Sequence, residues 1–159
     1  MNNFAKNRVE RTKTIVLSRP MEDVFPMFQP EGEKSWTANW NPQYIWPRDG
    51  LPHEGLVFTH DNGHGGESIW TMTRFDQDNY RIEYTVVAPD SHVSQIRIRC
   101  EQTQPRETSA TISYTVTPIS EAGLSVLESF APQDYEHRIS TWKKAIDHFF
   151  ATGQPSDVH

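Results

Sequence analysis

Between Gly55 and Pro118 apolar and polar side chains alternate, with turn residues about every ten to twelve positions. After Pro132 the rhythm changes, and Tyr135, Ile139, Trp142, Ile146 and Phe149 recur at steps of four, three, four and three. Alternation sends successive side chains to opposite faces of a strand, whereas the later spacing stacks them along one stripe of a helix. The first pattern therefore predicts consecutive antiparallel hairpins with one dry face. The second predicts one long helix broad enough to cover that face.

Five strands are expected in the alternating region, near Gly55 to His60, Glu67 to Asp76, Tyr80 to Ala88, His92 to Glu101 and Thr108 to Pro118. Asp61-Asn62-Gly63 suits a turn with positive φ, Asp76-Gln77-Asp78-Asn79 supplies side-chain caps, Pro89-Asp90 bends the chain and Pro105 cannot donate to a ladder. Leu56, Phe58, Trp70, Met72, Ile82, Tyr84, Val86, Ile96, Ile98, Cys100, Ile112, Tyr114 and Val116 share the inward phase. Arg81, Glu83, Gln95, Arg97, Arg99, Glu101, Thr111 and Ser113 share the outward one.

Ahead of this region, the β-branched run Thr12 to Leu17 reads as a first strand. Ser18-Arg19-Pro20 then reads as a serine cap and an early-turn proline opening a helix, whose buried side is Met21, Val24, Phe25 and Phe28. Gln29-Pro30-Glu31-Gly32-Glu33 restarts a turn or two of helix before the ring-rich stretch Trp36, Trp40, Tyr44 and Trp46. Late in the chain, Pro132 separates a short helix within Ser120 to Ser129 from the long one, and Gly153 with Pro155 ends the long one. The expected fold is α+β: about six strands curved round a long C-terminal helix, with two short helices after the first strand. Residues 1–159 are read as one domain, with 1–10 and 152–159 as loose ends.

Composition removes several classes. In 159 residues no apolar run exceeds three, while a membrane span needs about 20 apolar residues and a signal-peptide core about 7 to 15. Fifteen basic against twenty-one acidic side chains give a net charge of -6, which repels nucleic acid. The single cysteine, Cys100, cannot form an intramolecular disulfide, and it fits a cytoplasmic location and a small buried hydrophobe.

The order of elements, Ser-x-Pro-x-x-x-Val-Phe-x-x-Phe at Ser18 to Phe28, Pro-Glu-Gly-Glu-x-x-Trp at Pro30 to Trp36 and Tyr-x-x-x-x-x-x-Trp at Tyr135 to Trp142 together resemble the helix-grip superfamily. That superfamily includes START lipid-transfer domains, the birch-pollen allergen and the polyketide cyclase/dehydrase (SRPBCC) proteins. The resemblance runs from about Arg11 to Phe150. It implies a cavity between sheet and long helix that holds a hydrophobic or amphipathic small molecule, lipid-like or polyketide-like, and it implies no single chemistry.

Aromatic residues form 11% of the chain, and rings that fail to interdigitate leave such a cavity. The candidate ligand contacts are Trp40, Trp46, Phe58, Trp70, Met72, Arg74, Tyr84, Ile98, Tyr114, Tyr135 and Trp142. Trp70, Tyr84, Tyr114 and Trp142 are its expected walls. Arg74, read in phase with Trp70 and Met72, is a candidate anchor for a ligand carboxylate. His60, read in phase with Leu56 and Phe58, is the second polar anchor and the candidate acid/base, with Asp61 and Glu67 close enough in sequence to orient it.

No metal or cofactor is expected. His60 and His64 flank a turn rather than sharing a helix face, and His53 is the only further histidine close in sequence. Gly63-His64-Gly65-Gly66 precedes a strand and lacks the Gly-Lys-Ser/Thr ending of a phosphate loop. With no Gly-x-Ser-x-Gly elbow, a hydrolase is set aside. Three readings follow: a binder of a hydrophobic or aromatic small molecule; a cofactor-free cyclase or dehydratase using His60; and an interaction module in which the Trp36 to Trp46 stretch docks a protein or a second copy of the chain.

Overall fold

The computed structural model of the protein describes residues 4–61 and 66–156. Its strands are β1 (Val9–Leu17), β2 (Gln43–Trp46), β3 (Val57–Asp61), β4 (Glu67–Asp76), β5 (Arg81–Ala88), β6 (His92–Gln104) and β7 (Glu107–Pro118). They form one antiparallel sheet in the order β1-β7-β6-β5-β4-β3-β2. The helices are α1 (Met21–Val24), α2 (Pro30–Glu33), α3 (Glu121–Leu127) and α4 (Pro132–Thr152), with 3-10 turns at Phe4–Asn7, Phe25–Phe28 and Glu128–Phe130. Among the described residues no helix is long and apolar enough to cross a membrane.

The sheet follows the alternation closely. Phe58, Met72, Ile82, Tyr84, Ile96, Ile98, Ile112, Tyr114 and Val116 are buried, while Arg81, Gln95, Arg97 and Arg99 are exposed on the other face. Across the buried face lies α4, whose Tyr135, Ile139 and Ile146 are buried on the predicted stripe. Pro132 takes the first turn of α4, where its missing N–H costs nothing, and Gly153 ends the helix in the left-handed region at φ 72°. The Tyr135 hydroxyl donates to the Ile112 carbonyl at 2.5 Å, which fixes α4 against β7.

Four details depart from the sequence reading. The sheet has a seventh strand, because Gln43–Trp46 pairs with β3 at its edge. Ser18 caps nothing: Pro20 stands at the head of α1, and the Met21 N–H is satisfied by the Gln102 side chain at 2.9 Å. Strand β1 begins ahead of Thr12, since Val9 and Glu10 pair with Val116 and Thr115, and Ser156 forms a bridge with Thr37. The β4 to β5 register shifts between Met72 and Arg74, which turns Arg74 outward opposite Glu83 and brings Phe75 opposite Ile82. The hairpin tip 62–65, with His64, lies outside the described residues.

The segment between β1 and β2 decides what enters the space under α4. Gly32 in α2 lies so close to the Phe25–Phe28 turn that a Cβ there would stand 1.7 Å from the Pro26 carbonyl oxygen. Only glycine lets α2 pack this tightly. The Tyr84 hydroxyl donates to the Phe28 carbonyl at 2.8 Å, pinning the same turn to β5 from below. Glu33, the last residue of α2, and Trp36, three residues later, are held in place by these contacts.

Candidate functional site

A cavity of about 260 Å³ lies between α2, the sheet and α4. Trp36, Trp40, Trp70 and Trp142 line it with Tyr84 and Tyr114, and Ile96, Ile98 and Ala145 supply the aliphatic surface between the rings. Neighbouring rings meet edge to face or tilted. Trp40 and Trp70 are 5.3 Å apart, Trp70 and Tyr84 5.5 Å, Trp36 and Trp142 5.6 Å, and Tyr114 and Trp142 6.2 Å. Such rings brace one another without interleaving, and the gap between them is the cavity.

The polar tips of these rings are mostly taken up by the protein. Trp36 Nε1 donates to the Met27 carbonyl and Trp40 Nε1 to the Pro30 carbonyl, both at 2.8 Å, and Trp70 Nε1 donates to Ser68 Oγ at 2.9 Å. With the Tyr84 hydroxyl on Phe28, these indoles and this phenol offer the cavity ring surface alone. Burial raises the Tyr84 and Tyr114 phenols above their ordinary pKa, and both stay neutral. Thr141 also lines the cavity, but its hydroxyl donates back to the His137 carbonyl at 2.9 Å.

Among the described residues one acidic side chain lines this apolar space: Glu33. Among the described residues its carboxyl has no hydrogen bond and no ion pair, and burial raises its pKa well above the usual carboxylate range. Part of the residue stays accessible, as it must in the wall of an open cavity. Two positions earlier, Glu31 turns outward instead, meets Lys34 at 2.6 Å and accepts from the Tyr44 hydroxyl at 2.5 Å. The Lys34 and Tyr44 contacts hold the Glu31 carboxyl below its ordinary pKa.

Of the sequence candidates, Trp40, Trp70, Tyr84, Ile98, Tyr114 and Trp142 line the cavity. Phe58 and Met72 lie fully buried behind it; Phe58 stacks on Trp70 at 5.4 Å, and Tyr135 is held by Ile112. Trp46 stands half exposed on the edge strand β2, its ring meeting His53 edge on. His60 stacks on Trp40 at 4.5 Å and is not among the lining residues. The bulge in β4 carries Arg74 away, and its guanidinium reaches Glu83 and Asp76 at 3.5 and 3.6 Å. Cys100 is buried in the sheet, and burial pushes its thiol up to about 12. Among the described residues no three His, Cys, Asp or Glu side chains gather as a metal site would require.

The sequence reading passed over Glu33. A signal was present: Pro-Glu-Gly-Glu ahead of Trp36 offers two carboxylates around a glycine that must pack closely. Four residues are too few for helical periodicity to show which carboxylate turns inward.

A second, wider space opens beyond Trp70, Ile96 and Tyr114, which it shares with the first. This cleft of about 670 Å³ is more polar, with Asp90, Ser91, His92, Ser94 and Arg138 on its walls. Burial holds the His92 imidazole below its ordinary pKa, and Arg138 lies over the Phe130 ring at 4.4 Å.

No protein-family model matches the sequence, and no curated protein is significantly similar to it. Solved structures are similar. Norcoclaurine synthase from Thalictrum flavum, solved in complex with dopamine and hydroxybenzaldehyde, superposes with a TM-score of 0.61 at 11% identity, covering 91% of this chain and 87% of that one. Ara h 8.0201 gives 0.63 at 14% identity over 91% of this chain and 99% of its own. A hypothetical protein from Helicobacter pylori gives 0.71 at 9% identity over 89% and 87%. At these identities the likeness is one of fold, an antiparallel sheet gripping a long C-terminal helix.

Proposed function

We propose that this helix-grip chain binds a small hydrophobic molecule carrying an aromatic ring, held between the sheet and α4. The observation that carries the reading is the way the tryptophans are fixed. Trp36, Trp40 and Trp70 give their N–H groups to the protein, so their surfaces toward the cavity are apolar. Ligand pockets are mostly such surfaces with a few placed polar groups. An apolar cavity of roughly 150 Å³ holds benzene. At about 260 Å³ this one has room for a fused ring pair or a ring with a short chain. A long-chain lipid would have to extend past Tyr114 into the wider cleft.

Native mass spectrometry of the purified protein, followed by denaturing extraction, tests the reading directly. An added mass that leaves on denaturation supports it. Titration with naphthalene derivatives, followed by side-chain nuclear magnetic resonance, is the complementary test. If the Trp36, Trp70 and Trp142 indole resonances stay unmoved, the reading fails.

A catalytic reading is favoured by one observation, the Glu33 carboxyl beside the rings with its pKa raised by burial, the direction in which a carboxyl becomes suited to proton transfer. In that reading Glu33 does the work assigned to His60 in the sequence analysis. Turnover lost in Glu33→Gln but kept in His60→Ala would support it; the reverse would return the role to His60.

A further inference from the structure

The aromatic reading leaves the ligand's charge open, and the cavity's electrostatics address it. Trp36, Trp40, Trp70 and Trp142 line the cavity, and the negative face of an aromatic ring attracts a cation. Glu33 adds the one ionisable acid in the lining, and no basic side chain lines the cavity among the described residues. The neighbouring cations are engaged elsewhere: Lys34 reaches out to Glu31 at 2.6 Å, Arg138 lies over Phe130 at 4.4 Å, and Arg74 faces Glu83. An anionic ligand would find no cationic side chain in the lining among the described residues and would lie beside a carboxyl. A neutral one could at most share an uncharged hydrogen bond with that carboxyl, weaker than the charge-assisted bond of an ammonium.

We propose that the cavity takes a hydrophobic organic cation, an aromatic amine or an N-alkylated equivalent, with the Glu33 carboxylate as its counter-ion and the surrounding indole rings as its walls. This deepens the small-molecule reading above and rests on it. An ammonium beside a carboxyl favours its charged form, so a bound cation would offset the rise that burial imposes on Glu33. The groups facing it do not compete with it as counter-ions. Tyr44 from β2, Tyr84 from β5 and Tyr114 from β7 all have raised phenol pKa values and stay neutral. Thr141, Trp142 and Ala145 from α4 bring nothing titratable, and Glu31 is paired with Lys34.

The test uses three probes of one shape, 2-naphthylmethylamine, 2-naphthylmethanol and 2-naphthoate, titrated calorimetrically into the full chain and into Glu33→Gln. Wild type should bind the amine about tenfold more tightly than the alcohol, the scale of a desolvated cation over aromatic rings. It should bind the acid most weakly, and Glu33→Gln should erase the amine's advantage while leaving the alcohol's affinity intact. Equal binding of amine and alcohol, tighter binding of the acid, or an advantage that survives in Glu33→Gln overturns the inference and leaves the aromatic pocket standing. Binding of none of the three overturns the pocket reading and this inference together. Wild type alone gives a further readout should Glu33→Gln fail to fold. The amine's advantage over the alcohol should narrow as pH is lowered and Glu33 takes up its proton; an advantage that does not change with pH overturns the inference.

Discussion

Glu31 and Glu33 sit two residues apart in α2, one on its outer side and one on its inner side, in opposite electrostatic states. Glu31 is exposed, paired with Lys34 at 2.6 Å and held below its ordinary pKa. Glu33 faces a cavity of rings, has no ion pair among the described residues and is raised well above that pKa. Their effects on folding have opposite signs. A carboxyl with a lowered folded pKa adds stability that is present above about 4.5 and is lost as pH falls. A carboxyl with a raised one is easiest to accommodate below about 4.5, and its contribution is lost as pH rises toward the folded value. One short helix thus holds a carboxylate that steadies the fold at neutral pH and another whose charge the fold tolerates at a cost. That cost is the kind of feature expected of a group kept for binding or catalysis.

The contrast breaks most completely if the apolar wall opposite Glu33 is removed. Trp142 meets Phe28, Trp36 and Tyr114, and Trp142→Ala should cost about 3 kcal/mol in chemical denaturation. It should also admit water to the cavity and bring the Glu33 carboxyl back toward 4.5, read by carboxyl carbon resonances across a pH titration.

Gly32→Ala attacks the hinge between the two carboxylates. Its Cβ would meet the Pro26 carbonyl, so α2 has to move, at about 2 kcal/mol in the usual range for overpacking. Affinity for any cavity ligand should fall with it; unchanged stability would show that the close approach is not needed to aim Glu33.

A smaller effect sharpens the comparison. Glu33→Gln should raise stability at pH 8 by on the order of 1 kcal/mol and by nearly nothing at pH 4, where the wild-type acid is already protonated. Melting curves at the two pH values check this, and a destabilised variant at pH 8 would mean that the carboxylate is paired after all. The smallest effect belongs to the outer side. Glu31→Gln should cost at most about 0.5 kcal/mol at pH 7, as surface pairs do, and the difference should shrink as pH falls through 4.

Much of the frame was legible because it depends on local periodicity. The stripe Tyr135 to Phe149 specified α4, Pro132 and Gly153 marked its ends, and alternation sorted the sheet faces down to Ile98 and Tyr114. The site was less legible, and each failure has its cause. Arg74 left the inward phase because one bulged residue in β4 reverses every side chain beyond it. Gln43–Trp46 became a strand only by pairing with β3, an edge contact that four residues do not announce. The Trp36 to Trp46 stretch, uniform in sequence, divides between two fates: Trp36 is buried and Trp40 half-buried against the cavity, while Ile45 and Trp46 are exposed at the sheet edge. Glu33 was hidden among ordinary surface carboxylates.

By itself, then, the sequence determined an antiparallel sheet with one dry face, a long helix to cover it and more rings than that layer could close without a gap. These follow from spacing along the chain, which sets the direction of each side chain within its own strand or helix. The tertiary structure decided which carboxylate enters the gap. That choice depends on the contact of Gly32 with Pro26, on Tyr84 holding Phe28, and on Trp142 reaching in from more than a hundred residues away. Electrostatic character is set by what surrounds a group in space, and no local pattern carries that information.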